Sequence, residues 1–142
     1  MLSDLEKAKS TLKNEGATLV VVKNGRIIFK TDAPGMRGLL QAIENLKDEI
    51  YGASIADTVV GRAAGLLIVY SRVKEAYAAI LSEEGLKVLR EKKIGYEFGR
   101  IVPWILNESQ TDLCPFEKFS LSIKSPAEAY QELKKLQESM GR

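Results

Sequence analysis

The sequence predicts a three-layer α/β/α domain, with helices covering both faces of a mixed sheet of about five strands. Three observations carry that expectation. Two β-branched runs flank Asn24-Gly25, a dipeptide that accepts positive φ at both central positions of a two-residue hairpin. Further on, strand-like alternation and helix-like spacing take turns, which demands crossover connections and some parallel pairing. Between these regions, residues 59–70 are apolar nearly all round, so a helix there needs cover on several sides.

The first helix opens at Ser3, with Glu6 three residues later as its capping-box partner. Leu5, Ala8 and Leu12 follow at helical spacing, and Gly16 is placed to end it. The hairpin strands are residues 18–23 and 26–31. A second helix from 36 to 50 carries Leu39, Leu40, Ile43, Leu46 and Ile50 on one face, and Gly52 closes it. The third helix is expected to take Asp57 as its N-cap and to run through 59–70 as the central helix, packed on the sheet. Residues 74–81 read as a strand, their alanines leaving a helical alternative open. Ser82 then caps a fourth helix with Glu83 and Glu84 in its first turn, where the helix dipole favours them. That helix stops near Lys93, ahead of Gly95. Residues 96–102 alternate as a strand, 103–112 form a surface loop, and 116–123 (FEKFSLSI) alternate as a half-exposed strand. Ser125-Pro126 with Glu128 is a second capping box, and the last helix, 126–140, turns Ala129, Leu133, Leu136 and Met140 inward. No repeat, linker or low-complexity tract interrupts this order, so residues 1–142 are expected to form a single domain.

Composition narrows the chemistry. The chain has no histidine and a single cysteine, Cys114. That excludes the usual physiological-pH acid/base, nucleophile–histidine pairs, and zinc sites built on two thiolates or two imidazoles. Carboxylates, Lys, Arg, hydroxyls, backbone amides and one thiol remain. The 21 basic and 19 acidic residues are well mixed, so the single-signed stripe used for duplex binding is missing and a nucleic-acid partner is not expected. One cysteine cannot close an internal disulfide, and no basic-then-apolar leader opens the chain. The most apolar stretch, 63–70, falls far short of the roughly 20 residues that cross a bilayer. A cytoplasmic location with no membrane partner is the expectation.

Three short segments carry a family likeness: Asp57-Thr58-Val59-Val60-Gly61-Arg62-Ala63-Ala64, Ser82-Glu83-Glu84-Gly85, and Leu113-Cys114-Pro115-Phe116-Glu117. With the order of elements, they make the chain resemble the cytidine-deaminase-like fold. More closely, it is similar to a small family of unknown function with that fold, found in thermophilic bacteria and archaea. In active deaminases a His or Cys, followed two residues later by Glu, opens the buried helix. Pro-Cys-x-x-Cys opens the next one, and zinc held there activates water. Here Val59, Val60, Gly61 and Arg62 stand at the first place, and Ser82, Glu83, Glu84 and Gly85 at the second. The resemblance therefore implies the scaffold without zinc-dependent deamination, with no metal and no cofactor. It also implies a small-molecule ligand, nucleotide-like by analogy, and association into homo-oligomers.

Asp57 is the leading candidate for both ligand binding and catalysis. At the start of the central helix it could act as a general base or bind a hard cation, or simply cap its helix for about 1 kcal/mol. Cys114 is the second catalytic candidate, against the plainer reading of a small buried hydrophobe. Gly61 and Gly65 each cost roughly 1 kcal/mol inside a helix, offset by close packing on the sheet or by room for a ligand. Gly61 with Arg62 could hold a phosphate through amides and guanidinium. Glu83 and Glu84 complement a helix dipole, or, if either faced Asp57, two carboxylates and Ser82 could bind Mg²⁺ or Ca²⁺ or complete an oxygen-rich ligand site. Tyr96, Phe98 and Trp104 offer a stacking surface or core packing, and Arg90, Lys92 and Lys93 complement a helix C-terminus. Three readings follow: a non-catalytic module binding a small ligand, a zinc-independent enzyme using Asp57 and Cys114, and a homo-oligomeric scaffold.

Overall fold

A computed structural model describes residues 2–140. The elements in order are α1 (Asp4–Asn14), β1 (Leu19–Lys23), β2 (Arg26–Thr31), α2 (Arg37–Leu46), β3 (Ser54–Val60), α3 (Arg62–Tyr70), β4 (Glu75–Ser82), α4 (Glu83–Glu91), β5 (Gly95–Val102), α5 (Pro115–Ser120) and α6 (Pro126–Ser139). They form one five-stranded sheet in the order β2-β1-β3-β4-β5. The hairpin and the β1–β3 pair are antiparallel, whereas β3–β4 and β4–β5 are parallel. The parallel half exists because α3 and α4 each carry the chain back to start the next strand from the same end.

The two faces are covered unequally. On one side α1 sets Leu5, Ala8 and Leu12 against Val20, Val22, Ala56 and Tyr77. On the other, α2 to α6 enclose the larger core, with Leu67 and Ile68 of α3 fully buried at its centre. β1 is buried on both faces, which is why four of its five residues are Leu or Val in an unbroken run. The mixed α/β/α architecture is the one expected.

Local chemistry places most ends where the sequence puts them. Asn24 and Gly25 take φ of 53° and 78°, the two positive values a tight hairpin needs. Ser3 and Glu6 exchange both bonds of the capping box. Ser82 accepts from the Gly85 amide, and Ser125 from that of Glu128. The second helix stops four residues early, at Leu46: a 3₁₀ turn, Lys47–Ile50, follows, with Lys47 at a φ of 53°.

Two expectations are corrected. Asp57 does not cap the central helix; it lies within β3, and α3 begins only at Arg62 with Gly61 in the cap position. The apolar residues 59–70 merged two elements, because Val59 and Val60 end a strand buried between β1 and β4. Residues 116–123 are not a strand. Pro115 starts helix α5, and Phe116, Ser120 and Ile123 reach the core at helical intervals. β3 takes the place of that strand, so the count of five stands with a different member. Among the described residues, no helix is long and apolar enough to cross a membrane.

Candidate functional site

The ends of β1 and β3 set the site's floor. Leu19 lies opposite Asp57, and both the amide and hydroxyl of Thr58 donate to the Thr18 carbonyl, at 3.2 and 3.0 Å. This pins β3 where it turns into Gly61 and α3. Over the pinned corner lies a cavity of about 310 Å³, whose walls include Met36, Asp57, Ala64, Cys114, Phe116 and Glu117. Asp57 and Cys114, 57 positions apart in the chain, thus share one cavity.

Asp57 is the polar group of consequence here. Its Oδ1 accepts the Thr58 amide at 2.8 Å. Enclosure away from water pushes its pKa up to about 7, against the pull of hydrogen bonds from the Thr58 and Val59 amides. The carboxyl is therefore poised between its acid and anion near neutral pH.

Glu117 is the residue that sequence reasoning missed. It is buried on α5, and its two oxygens accept the Arg62 and Ala63 amides at 2.8 Å each. It therefore caps α3 from another element, a role that Asp57 was expected to play from within. Burial raises the Glu117 pKa and Glu84 adds to the rise, while the two amides and the Arg62 charge hold it down. Only the Cys114-Pro115-Phe116-Glu117 segment pointed there, as part of a likeness with no role attached. Gly61 makes the cap possible: any Cβ at that position would overlap the Glu117 carboxylate.

Arg62 returns the favour. Its Nε donates to the Ser120 carbonyl at 3.1 Å and its Nη2 to the Ile123 carbonyl at 2.7 Å, closing the end of α5. The guanidinium is thus engaged by backbone, where the sequence suggested a phosphate. Gly61 is a cap residue, not a costly helix interior. Gly65 is interior, and it answers to close packing against Val88 of α4, not against the sheet. Ser82 is buried as the α4 cap, and Glu83 is exposed on the first turn of α4. Neither lines the Asp57 cavity. Cys114 is half-buried in the cap position of α5, its amide bonded to the Ile105 carbonyl at 2.9 Å. Tyr96 packs on the core, while Phe98 and Trp104 are exposed along and beyond β5.

The donor set does not fit zinc. Both Glu117 oxygens are committed to amides, and among the described residues no three His, Cys, Asp or Glu side chains converge on one point. A wider groove of about 840 Å³ lies elsewhere, between Tyr51, Arg72, Tyr130 and Lys134. Arg72 and Lys134 already sit on tyrosine rings there, and Lys134 pairs with Glu44 as well. The Asp57 cavity, where an enclosed carboxyl faces an apolar wall, is the candidate site.

A family model described as "Domain of unknown function (DUF1893)" matches residues 7–137. The chain belongs to the DUF1893 family. A solved DUF1893 family protein from Thermotoga maritima superimposes with a TM-score of 0.86 at 22% identity, over 95% of this chain and 92% of that one. Acinetobacter baumannii RibD aligns with a TM-score of 0.51 at 18% identity, over 68% of this chain and 34% of that chain. A Thermotoga maritima protein described as a diaminohydroxyphosphoribosylaminopyrimidine deaminase/reductase gives 0.49 at 20%, over 84% and 40%. No curated protein matches. This DUF1893 chain therefore has a deaminase-like α/β/α fold, and at these identities the likeness is one of fold.

Proposed function

We propose that the DUF1893 chain is a binding module for a small planar nitrogen heterocycle, nucleobase-like, held in the Asp57 cavity without a metal. One observation supports this above the rest: a single carboxyl with a pKa of about 7 faces a cavity lined by Met36, Ala64 and Phe116. In its acid form, populated near neutral pH, it donates through one oxygen and accepts through the other, the complement of a ring nitrogen beside an exocyclic amine. A volume of 310 Å³ stands at the small end of ligand pockets, which run from about 300 to 1,000 Å³. That suits a base or nucleoside. The deaminase-like fold adds an analogy and nothing stronger.

Calorimetry with adenine, guanine, cytosine, uracil and their nucleosides tests the proposal. Bases with an amino–azine edge should bind, uracil more weakly, and Asp57→Ala should cost about tenfold or more in affinity. If no base binds, or if Asp57→Ala binds as well as the native chain, the proposal fails.

The shared cavity also supports a second reading, a zinc-independent enzyme with Cys114 as nucleophile beside Asp57. That reading requires Cys114 to be alkylated faster than an exposed reference cysteine. Slow alkylation, with ligand binding unchanged in Cys114→Ser, leaves the binding module alone.

A further inference from the structure

The two edges of the sheet are built differently. At one edge, β2 presents exposed Arg26 and Lys30, and a register shift at Val21/Val22 distorts its ladder, devices that discourage a further strand. The other edge, β5, has eight residues and none is buried. It carries Phe98 and Ile101, 42% and 40% exposed, and the chain runs on into Trp104 and Leu106 at 56% and 44%. No bulge interrupts its pairing with β4, and the proline that follows, Pro103, lies beyond its end. An open row of backbone donors and acceptors flanked by large apolar groups is a pairing surface.

We infer that β5 pairs with β5 of a second copy of this chain, antiparallel about a two-fold axis through Gly99, to make one continuous sheet across the dimer. The sequence of the strand selects the occupant and the register. A two-fold axis normal to a sheet keeps each side chain on its own face, so it must pass through a residue that opposes itself. Centring on Glu97 or on Arg100 sets like charges directly opposite each other. Centring on Phe98 sets Arg100 against Tyr96, whose ring packs into the core. Centring on Gly99 sets Arg100 over the partner's exposed Phe98 and Tyr96 against the partner's Val102, with no like charges opposed. It also leaves Glu97 free to keep its ion pair with Lys9.

The test is sedimentation of the full chain with two variants at one exposed position. The native chain should sediment at twice 15.7 kDa. Phe98→Lys places a cation against the partner's Arg100 and should weaken association at least tenfold, with an unchanged circular dichroism spectrum. Phe98→Glu places an anion there and should remain dimeric. A monomeric native chain overturns the inference. So does a dimer that survives Phe98→Lys, or a Phe98→Glu variant that dissociates as readily as Phe98→Lys.

Discussion

Glu117 occupies the space that a side chain on residue 61 would need. Its carboxylate lies against the Gly61 backbone and takes the first two amides of α3, Arg62 and Ala63, at 2.8 Å each. Arg62 in turn takes the last carbonyl of α5, Ser120, and that of Ile123 just beyond it. The two helices finish each other, and the wall between Asp57 and Cys114 depends on both.

Gly61→Ala should therefore displace Glu117 and strand two amides at a buried helix start. The expected cost is about 2 kcal/mol or more in urea unfolding. Much of that cost should vanish in a Glu117→Ala background, where no carboxylate remains to be displaced. Additive losses in the double-mutant cycle would mean that the two residues act separately.

The raised pKa of Asp57 predicts a sign for the pH dependence of stability. The folded chain holds this proton up to about 7 and the unfolded chain only to about 3.8, so this group's contribution is greatest below 3.8 and is lost as pH climbs toward 7. The slope is at most about 1.4 kcal/mol per pH unit for one group. Asp57→Asn should remove it. Urea melts of both proteins from acid to neutral pH decide the matter; parallel curves would refute the buried-carboxyl account.

Arg62→Lys keeps the charge but loses the planar fork that bridges the Ser120 and Ile123 carbonyls. The end of α5 should loosen, with a loss on the order of 1–2 kcal/mol, and Cys114 at its start should become easier to alkylate. Alkylation timed with and without the substitution reads this directly. An unchanged rate would mean that α5 is held without Arg62.

Gly65 and Gly85 should respond oppositely to alanine. At Gly65 the new methyl meets Val88 at 3.4 Å, ordinary contact, and removing a helix-interior glycine gains up to about 1 kcal/mol. At Gly85 it would lie 2.9 Å from the Val60 carbonyl and 3.0 Å from that of Gly61, atoms of fixed backbone. Gly85→Ala should force α4 away from the start of α3, lowering stability by about 2 kcal/mol or more. Equal thermal midpoints for the two variants would contradict this packing.

Where one side chain or one dipeptide decides an element, the sequence was legible: Ser3, Ser82 and Ser125 as caps, Asn24-Gly25 as the hairpin; alternation marked the strand after α4, while the Ala-rich strand before it also admitted a helix. It misled where an apolar run has no internal punctuation. Gly61-Arg62 stands at the end of β3, but as a lone pair between two apolar runs it reads equally well as part of one long helix. Asp57 looked like a cap for the same reason. At 116–123 period-two alternation competed with the Pro115 helix start, and core contacts at helical intervals won. Of the site, Asp57, Gly61 and Cys114 could be named in advance from residue type and context. Their union in one cavity could not, since it depends on α5 folding back across the start of α3. Glu117 was equally hidden, because no local pattern encodes a cap supplied from 55 positions downstream.

That separation bears on how the molecule comes into being. A growing chain that has just completed β5 already owns every strand of its sheet, yet the start of its innermost helix is still bare. Closure waits until residues 117 to 123 have emerged and folded back. The DUF1893 chain thus carries a late latch: the cavity beside Asp57 lacks its Cys114, Phe116 and Glu117 wall until α5 has been made and has folded back.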